Sequence, residues 1–229
     1  MSARITLIHA VAVAIPPVLE AFREGWPEAE VANLLDDGLT GALAQEGGLT
    51  PPIVQRIRDL AIYAARAGAD GILFTCSAFP PAMDVARADV AIPLLKPDEA
   101  MIAVALDAGR RIGVVATFPA TLMVAEGQIR AAAAARGVDV EMAAVAVPEA
   151  FAAMTGGDTS THDRLVADAA AALAPRVDVI CLAQFSMARA RADVQRRVAI
   201  PVLTSPAAAV NRLRALLDEG NAVRRFSDA

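Results

Sequence analysis

The sequence predicts an α/β protein of two pseudo-symmetric lobes, each a short, mainly parallel sheet flanked by helices, with an active-site cleft between them. Two observations carry this expectation. Short β-branched runs alternate with longer Ala-, Leu- and Arg-rich stretches at helical spacing, the pattern of successive βαβ units. The chain also repeats itself: ADGILFTCSAF from Ala69 matches VDVICLAQFSM from Val177, and AIPLLKPDEA from Ala91 matches AIPVLTSPAA from Ala199, both at an offset of 108 residues. RITLIHA from Arg4 recurs as RIGVVAT from Arg111, at an offset of 107. Three segments in the same order and nearly in register predict homologous lobes, residues 1–97 with 207–229 forming the first and 98–206 the second.

In chain order, alternating or β-branched runs predict strands at Arg4 to His9, Ala29 to Leu35, Gly71 to Thr75 and Ile92 to Leu95 in the first lobe. In the second they predict Arg111 to Thr117, Val138 to Val145, Val177 to Ala183 and Ile200 to Thr204. Helical spacing is clearest over Pro52 to Ala67, Pro97 to Asp107, Ala120 to Arg136, Thr161 to Ala174 and Pro206 to Leu217, and helices fill most of the remaining gaps. Gly47-Gly48 and Gly156-Gly157 mark the expected mobile loops.

Composition narrows the function classes. At 229 residues the chain is long enough for two compact lobes, and no apolar run reaches the roughly 18 residues of a membrane span, so a soluble protein is expected. The opening MSARITLIHA runs straight into a strand pattern without the apolar core of a signal peptide, which points to the cytoplasm. The net charge of −5 is spread over interspersed acids and bases, leaving no basic stripe for nucleic acid or a lipid surface, so a small molecule is the expected partner. Two cysteines make neither a disulfide framework nor a zinc site, and His9 and His162 do not fall in a metal-binding spacing, so a metalloenzyme is not expected.

In parallel sheets, ligands bind beyond the carboxyl ends of the strands. The residues there are His9, Asp36-Asp37 and Thr75-Cys76-Ser77 in the first lobe, and Thr117-Phe118 and Ala183-Gln184-Phe185-Ser186 in the second. The repeat pairs Cys76 with Gln184, again 108 residues apart. Cys76 has two readings, a thiolate base or nucleophile and a small buried hydrophobe; its place in the repeat favours the first. Cys181 lies an odd number of positions before Gln184, on the opposite strand face, and is expected in the core. His9 is open between a proton donor, a substrate ligand and a satisfied strand-end histidine. Asp36-Asp37-Gly38 reads first as a turn and second as a substrate contact, and Lys96 first as a solvated rim residue and second as the partner of a carboxylate.

Three of these segments carry a family resemblance that spans essentially the whole chain. GADGILFTCSAF resembles the first cysteine turn of the aspartate/glutamate racemase superfamily, which includes hydantoin racemases, maleate isomerase and arylmalonate decarboxylase. RIGVVATFPAT resembles the strand and threonine loop that opens its second lobe. VDVICLAQFSM, with IPVLTSP after it, occupies the place of its second cysteine turn. The resemblance implies a cofactor-independent enzyme acting on a small carboxylate, with two cysteines on opposite faces of the substrate α-carbon, and a homodimer as one expected assembly. Here the first position is Cys76, but the second is Gln184, which has no titratable proton. Ser77, Thr117 and Thr121 fit the family's carboxylate-binding positions, with helix capping as their ordinary alternative. Phe118, Phe185 and Ser186 complete the expected substrate-binding set. The first expectation is therefore a racemase or isomerase using the single thiol of Cys76, with Gln184 and His9 as further catalytic candidates. Its rivals are a decarboxylase of a malonate-like substrate that protonates one face, and a degenerate protein that only binds small anions.

Overall fold

The computed structural model describes residues 2–227, and the side chains of residues 2–220. It divides into two compact units, one running up to Pro97 and resuming at Ala209, the other spanning Asp98–Ala208.

The first unit contains, in order, β1 (Arg4–His9), α1 (Ile15–Gly25), β2 (Glu30–Leu35), α2 (Gly38–Gln45), α3 (Pro51–Arg66), β3 (Gly71–Phe74), α4 (Pro80–Ala88) and β4 (Leu94–Leu95). Its four strands are all parallel, in the order β2-β1-β3-β4. Prolines open α1, α3 and α4, where a missing N–H costs nothing because the first helical amides have no partner within the helix. One face of the sheet offers Ile8, Ile72 and Phe74 to Ile53, Ile57 and Ala61 of α3 and to Met83 of α4, making a continuous core. Each large side chain fully buried this way contributes about 1.5–3 kcal/mol.

The second unit contains α5 (Glu99–Ala108), β5 (Arg111–Ala116), α6 (Pro119–Ala135), β6 (Glu141–Ala146), α7 (Pro148–Thr155), α8 (Thr159–Leu173), β7 (Val179–Leu182), α9 (Arg191–Gln195) and β8 (Val202–Thr204). The last helix, α10 (Ser205–Ser227), begins directly from β8. The strand order β6-β5-β7-β8 reproduces that of the first sheet, again all parallel. The registers repeat as well. Ile72 pairs with Leu94 and Ile180 with Val202; Ile5 pairs with Gly71 and Ile112 with Val179. Asp70 and Asp178 perform the same local task, each accepting the backbone N–H that starts its neighbouring strand, from Arg4 at 2.8 Å and from Arg111 at 2.9 Å.

The sheet of the second unit is covered on both faces. Val179 and Cys181 pack with Met101, Leu106 and Ile129 of α5 and α6, while Ile180 and Leu182 pack with Val166, Ala170 and Leu173 of α8. The alternation along β7 puts Cys181 in the core, fully buried.

The observed strands are shorter than the predicted runs wherever the ladder ends first. β6 begins at Glu141, not Val138, because its only strand partner, β5, starts pairing there through Arg111. β4, at the sheet edge, makes only two rungs with β3. Helix α8 starts two residues before the predicted Thr161 because Asp158 caps it, accepting the Thr161 N–H at 3.0 Å. The two glycine pairs fall in turns between helices, where Gly47 and Gly157 take positive φ angles of 67° and 82°.

Candidate active site

In the first unit the chain leaves β3 through Thr75, Cys76 and Ser77 and enters α4 at Pro80. Cys76 is half-buried and not in a disulfide. It borders a small, largely apolar cavity walled by Ile8, His9, Leu39, Phe74, Phe79 and Met83. The two prolines that open α4 give its first turn no N–H at those positions, so this helix end is a poorer anion site than a bare helix N-terminus.

His9 ends β1 beneath this turn and is fully buried. Its Nε2 donates to Asn33 Oδ1 at 2.9 Å, and its Nδ1 accepts the Thr75 hydroxyl at 2.7 Å. Burial pushes the imidazole below its ordinary pKa, and the hydrogen bond to Asn33 offsets this only in part. Both ring nitrogens therefore have protein partners. Thr75, the residue before Cys76, is tied to β1 twice: its hydroxyl meets His9 and its N–H donates to Ile8 O at 3.1 Å.

In the second unit the corresponding turn after β7 carries Gln184, which precedes a 3-10 segment, Phe185–Ala190. Its Oε1 accepts both the Thr117 N–H, at 2.6 Å, and the Thr117 hydroxyl, at 2.8 Å. Thr117 is itself buried at the carboxyl end of β5. With the oxygen fixed, the amide group is oriented and its Nε2 makes no hydrogen bond to protein among the described residues. Gln184 is half-buried, so this donor reaches the surface. Phe118, next along, lies against Phe151 of α7 with ring centroids 4.2 Å apart. Thr121 stands half-buried in the first turn of α6, Ser186 is half-buried, and Phe185 is buried.

The structure thus brings Thr117, Phe118 and Gln184 together in one unit and His9, Thr75 and Cys76 in the other. Cys181 is a core residue whose thiol burial pushes up to about 12, which removes it as a base or nucleophile near neutral pH. Asp36 is engaged bidentately by Arg56 at the turn into α2, and Asp37 sits at the start of that helix. Lys96 takes its second reading, a carboxylate partner: its Nζ lies 2.8 Å from Asp84 Oδ1. Sequence reasoning missed Asn33 and Phe151. Asn33 left a faint signal as the lone amide in the run EVANLL, and Phe151 as an aromatic in an alanine-rich helix.

The fold has many relatives. It matches allantoin racemase from Klebsiella pneumoniae with a TM-score of 0.72 at 19% identity, covering 96% of this chain and 89% of that one. It matches an aspartate racemase homologue from Pyrococcus horikoshii at 0.69 and 15%, covering 95% and 100%. A sulfate-associated cysteine variant of arylmalonate decarboxylase matches at 0.64 and 21%, covering 95% and 94%. A search of curated protein sequences gives no significant match. The family model described as Asp/Glu/hydantoin racemase matches residues 27–213, a span that includes both strand-end turns, and this chain belongs to that family of enzymes.

Proposed function

We propose that the protein is a cofactor-independent enzyme of the racemase and isomerase type, acting at the α-carbon of a small carboxylate with Cys76 as its only catalytic thiol. The observation that carries the reading is the contrast between the two cysteines. Cys76 stands half-buried at a strand end beside a cavity, whereas Cys181 is sealed in the core with its pKa pushed up to about 12. A base must reach the proton it moves, and only Cys76 has access to solvent.

In this reading the Cys76 thiolate takes the proton from the α-carbon of a bound carboxylate to leave an enolate, and solvent water returns a proton to the opposite face. Gln184, held by Thr117, donates from Nε2 to a substrate oxygen and stabilises the negative charge that develops there. Ser77, Thr121 and Ser186 contribute hydroxyls to the carboxylate, and Phe118 and Phe185 bound the substrate. His9 acts as a positioning residue, since its nitrogens are taken by Thr75 and Asn33 and it steadies the turn that carries Cys76.

One observation favours a second reading, a decarboxylase that protonates one face of the enolate. Gln184 stands where the repeat would put a second thiol, and an amide cannot carry a proton to the other face. Loss of carbon dioxide followed by one-sided protonation needs only Cys76.

The test is to incubate amino acids, hydantoins and substituted malonates in deuterated buffer while following α-deuteration, optical rotation and carbon dioxide release. Racemisation supports the isomerase reading, and a single labelled enantiomer with carbon dioxide supports the lyase. Gln184→Cys is expected to raise racemisation relative to one-sided product. If no compound shows turnover that depends on Cys76, both readings fail and a binding role remains.

A further inference from the structure

We infer that Asn33, an exposed amide on edge strand β2, is a positioning residue for Cys76: it chooses which nitrogen of buried His9 carries the proton, and through Thr75 that choice fixes the cysteine turn. The inference rests on the proposed reading in taking Cys76 as the working thiol, and every residue it uses lies in the first unit.

A neutral imidazole has one N–H and one lone pair, so two hydrogen-bond patterns compete at His9. Asn33 presents its oxygen to Nε2 at 2.9 Å, and an amide oxygen only accepts. Nε2 then carries the proton, which leaves the lone pair on Nδ1. The Thr75 hydroxyl has a single proton and two acceptors in reach, His9 Nδ1 at 2.7 Å and Ile8 O at 3.4 Å. Ile8 O already accepts the Thr75 N–H at 3.1 Å, so the hydroxyl donates to His9. In the other tautomer Nδ1–H donates to Thr75 Oγ1 and the hydroxyl proton turns toward Ile8 O, at the outer limit of a hydrogen bond, while bare Nε2 faces the Asn33 oxygen lone pair to lone pair. Asn33 is what separates the two patterns.

The choice reaches Cys76 through one peptide unit. The β1–β3 ladder ends with Ile8 opposite Phe74, and Thr75 beyond it is held to β1 by its N–H on Ile8 O and its hydroxyl on His9. Cys76 comes next, and it borders the same small cavity as His9. Without the Asn33 acceptor both tautomers are open to His9, the Thr75 hydroxyl divides between Nδ1 and Ile8 O, and the turn loses its single arrangement. Charge does not settle the ring instead. Among the described residues that border the cavity or hydrogen-bond to His9, only Cys76 and Asp36 also titrate, and the Asp36 carboxylate is engaged by Arg56. Burial keeps the imidazole below its ordinary pKa, so near neutral pH the ring is uncharged and the tautomer is the variable. An exposed amide on an edge strand needs no protein partner, yet this one turns its oxygen onto a fully buried ring.

The experiment uses the full chain with isotope-labelled histidine, His9 being told from His162 by the His162→Gln variant. NMR at about pH 9, where a histidine of lowered pKa is neutral, reads the tautomer from the two ring-nitrogen shifts. The wild type is expected to show Nε2–H at His9. Asn33→Leu and Asn33→Ala, both at an exposed site that leaves the core filled, are expected to lose that single tautomer. Asn33→Asp keeps an acceptor oxygen and is expected to retain it, with His9 titrating at higher pH than in the wild type. In a second arm, iodoacetamide is expected to alkylate Cys76 about three- to tenfold faster in the Leu and Ala variants, the scale of one lost hydrogen bond, and within about twofold of the wild type in Asn33→Asp, with Cys181 unlabelled throughout. An unchanged tautomer or an unchanged Cys76 rate in both the Leu and Ala variants overturns the inference. Labelling of Cys181 alongside Cys76 also overturns it, since Asn33 would then only stabilise the fold. A turnover arm separates the inference from the proposed reaction: on a compound whose turnover requires Cys76, kcat is expected to fall about three- to tenfold in the Leu and Ala variants and to recover in Asn33→Asp. The expected tautomers and alkylation rates without any Cys76-dependent turnover would leave the role of Asn33 standing and end the proposed reaction. Cys76-dependent turnover with the wild-type tautomer in both variants would do the reverse.

Discussion

At the scale of single residues, the proposed chemistry rests on one of two cysteines that stand in opposite surroundings. Alkylation of the native protein with iodoacetamide, mapped by mass spectrometry, is expected to modify Cys76 and to leave Cys181 untouched until the protein unfolds, because a buried thiol with a pKa of about 12 is neither accessible nor ionised. Thr117 offers a second residue-scale test. Thr117→Val removes the hydroxyl donor 2.8 Å from Gln184 Oε1 and leaves the backbone donor at 2.6 Å, so the amide loosens without being released. kcat and kcat/KM are expected to fall together several-fold with little change in KM, and Thr117→Ser to restore them, as steady-state kinetics will show. Cys76, Gln184 and Cys181 were legible in the sequence because the repeat numbered them and strand alternation separated them. The partners of His9 were not. Asn33 lies on β2 and Thr75 just past the end of β3, and only the pairing of both strands with β1 brings them to one imidazole.

At the scale of elements, the 3-10 segment after Gln184 is anchored from behind. Arg189 Nε reaches both carboxylate oxygens of Asp163, at 3.0 and 3.1 Å, and Asp163 also meets buried His162 Nδ1 at 2.7 Å. Asp163→Ala leaves both partners without that acceptor, and urea unfolding is expected to report a loss of about 1–3 kcal/mol, the lower end applying if half-exposed Arg189 finds water instead. The order of strands and helices was readable from periodicity alone, since each βαβ unit repeats its apolar pattern. Element ends were not, because they depend on where a neighbouring strand runs out, as at β6, or on a cap such as Asp158, three residues before the segment that looks helical. The prolines that open α4 were visible, but their effect on the cysteine turn needed the helix start at Pro80.

At the scale of the whole molecule, each unit is a four-stranded parallel sheet of the same order, and a matched aspartate closes each of them at the start of its first strand. Asp178 accepts from the Arg111 guanidinium and from the Arg111 and Arg110 amides, which hold its carboxyl at about 2, below the ordinary 3.8. A carboxyl whose pKa is lower in the folded state stabilises the fold at pH values above the unfolded pKa and loses that contribution as pH falls through the folded one. The stability gap between the wild type and Asp178→Asn is therefore expected to be full above about pH 4 and to close as pH falls toward about 2, measured by denaturant titration at each pH. His9 adds to the same trend at milder acidity: its lowered pKa makes protonation favour the unfolded chain, so its share of stability declines as pH falls below 6.5. The two-lobed architecture was the most legible feature of the sequence, because the offset of 108 is a property of the whole chain and survives local errors in any one element.

The central claim is that one thiol, Cys76, performs the proton chemistry. The most direct measurement is α-deuteration in deuterated buffer, followed by NMR on whichever compound the wild type turns over, with Cys76→Ser and Cys181→Ala assayed beside it. The account predicts that Cys76→Ser loses at least about a thousandfold in rate, the scale of removing a catalytic base or nucleophile, while Cys181→Ala retains most of it. Label incorporated at the wild-type rate by Cys76→Ser, or lost only in Cys181→Ala, would contradict it.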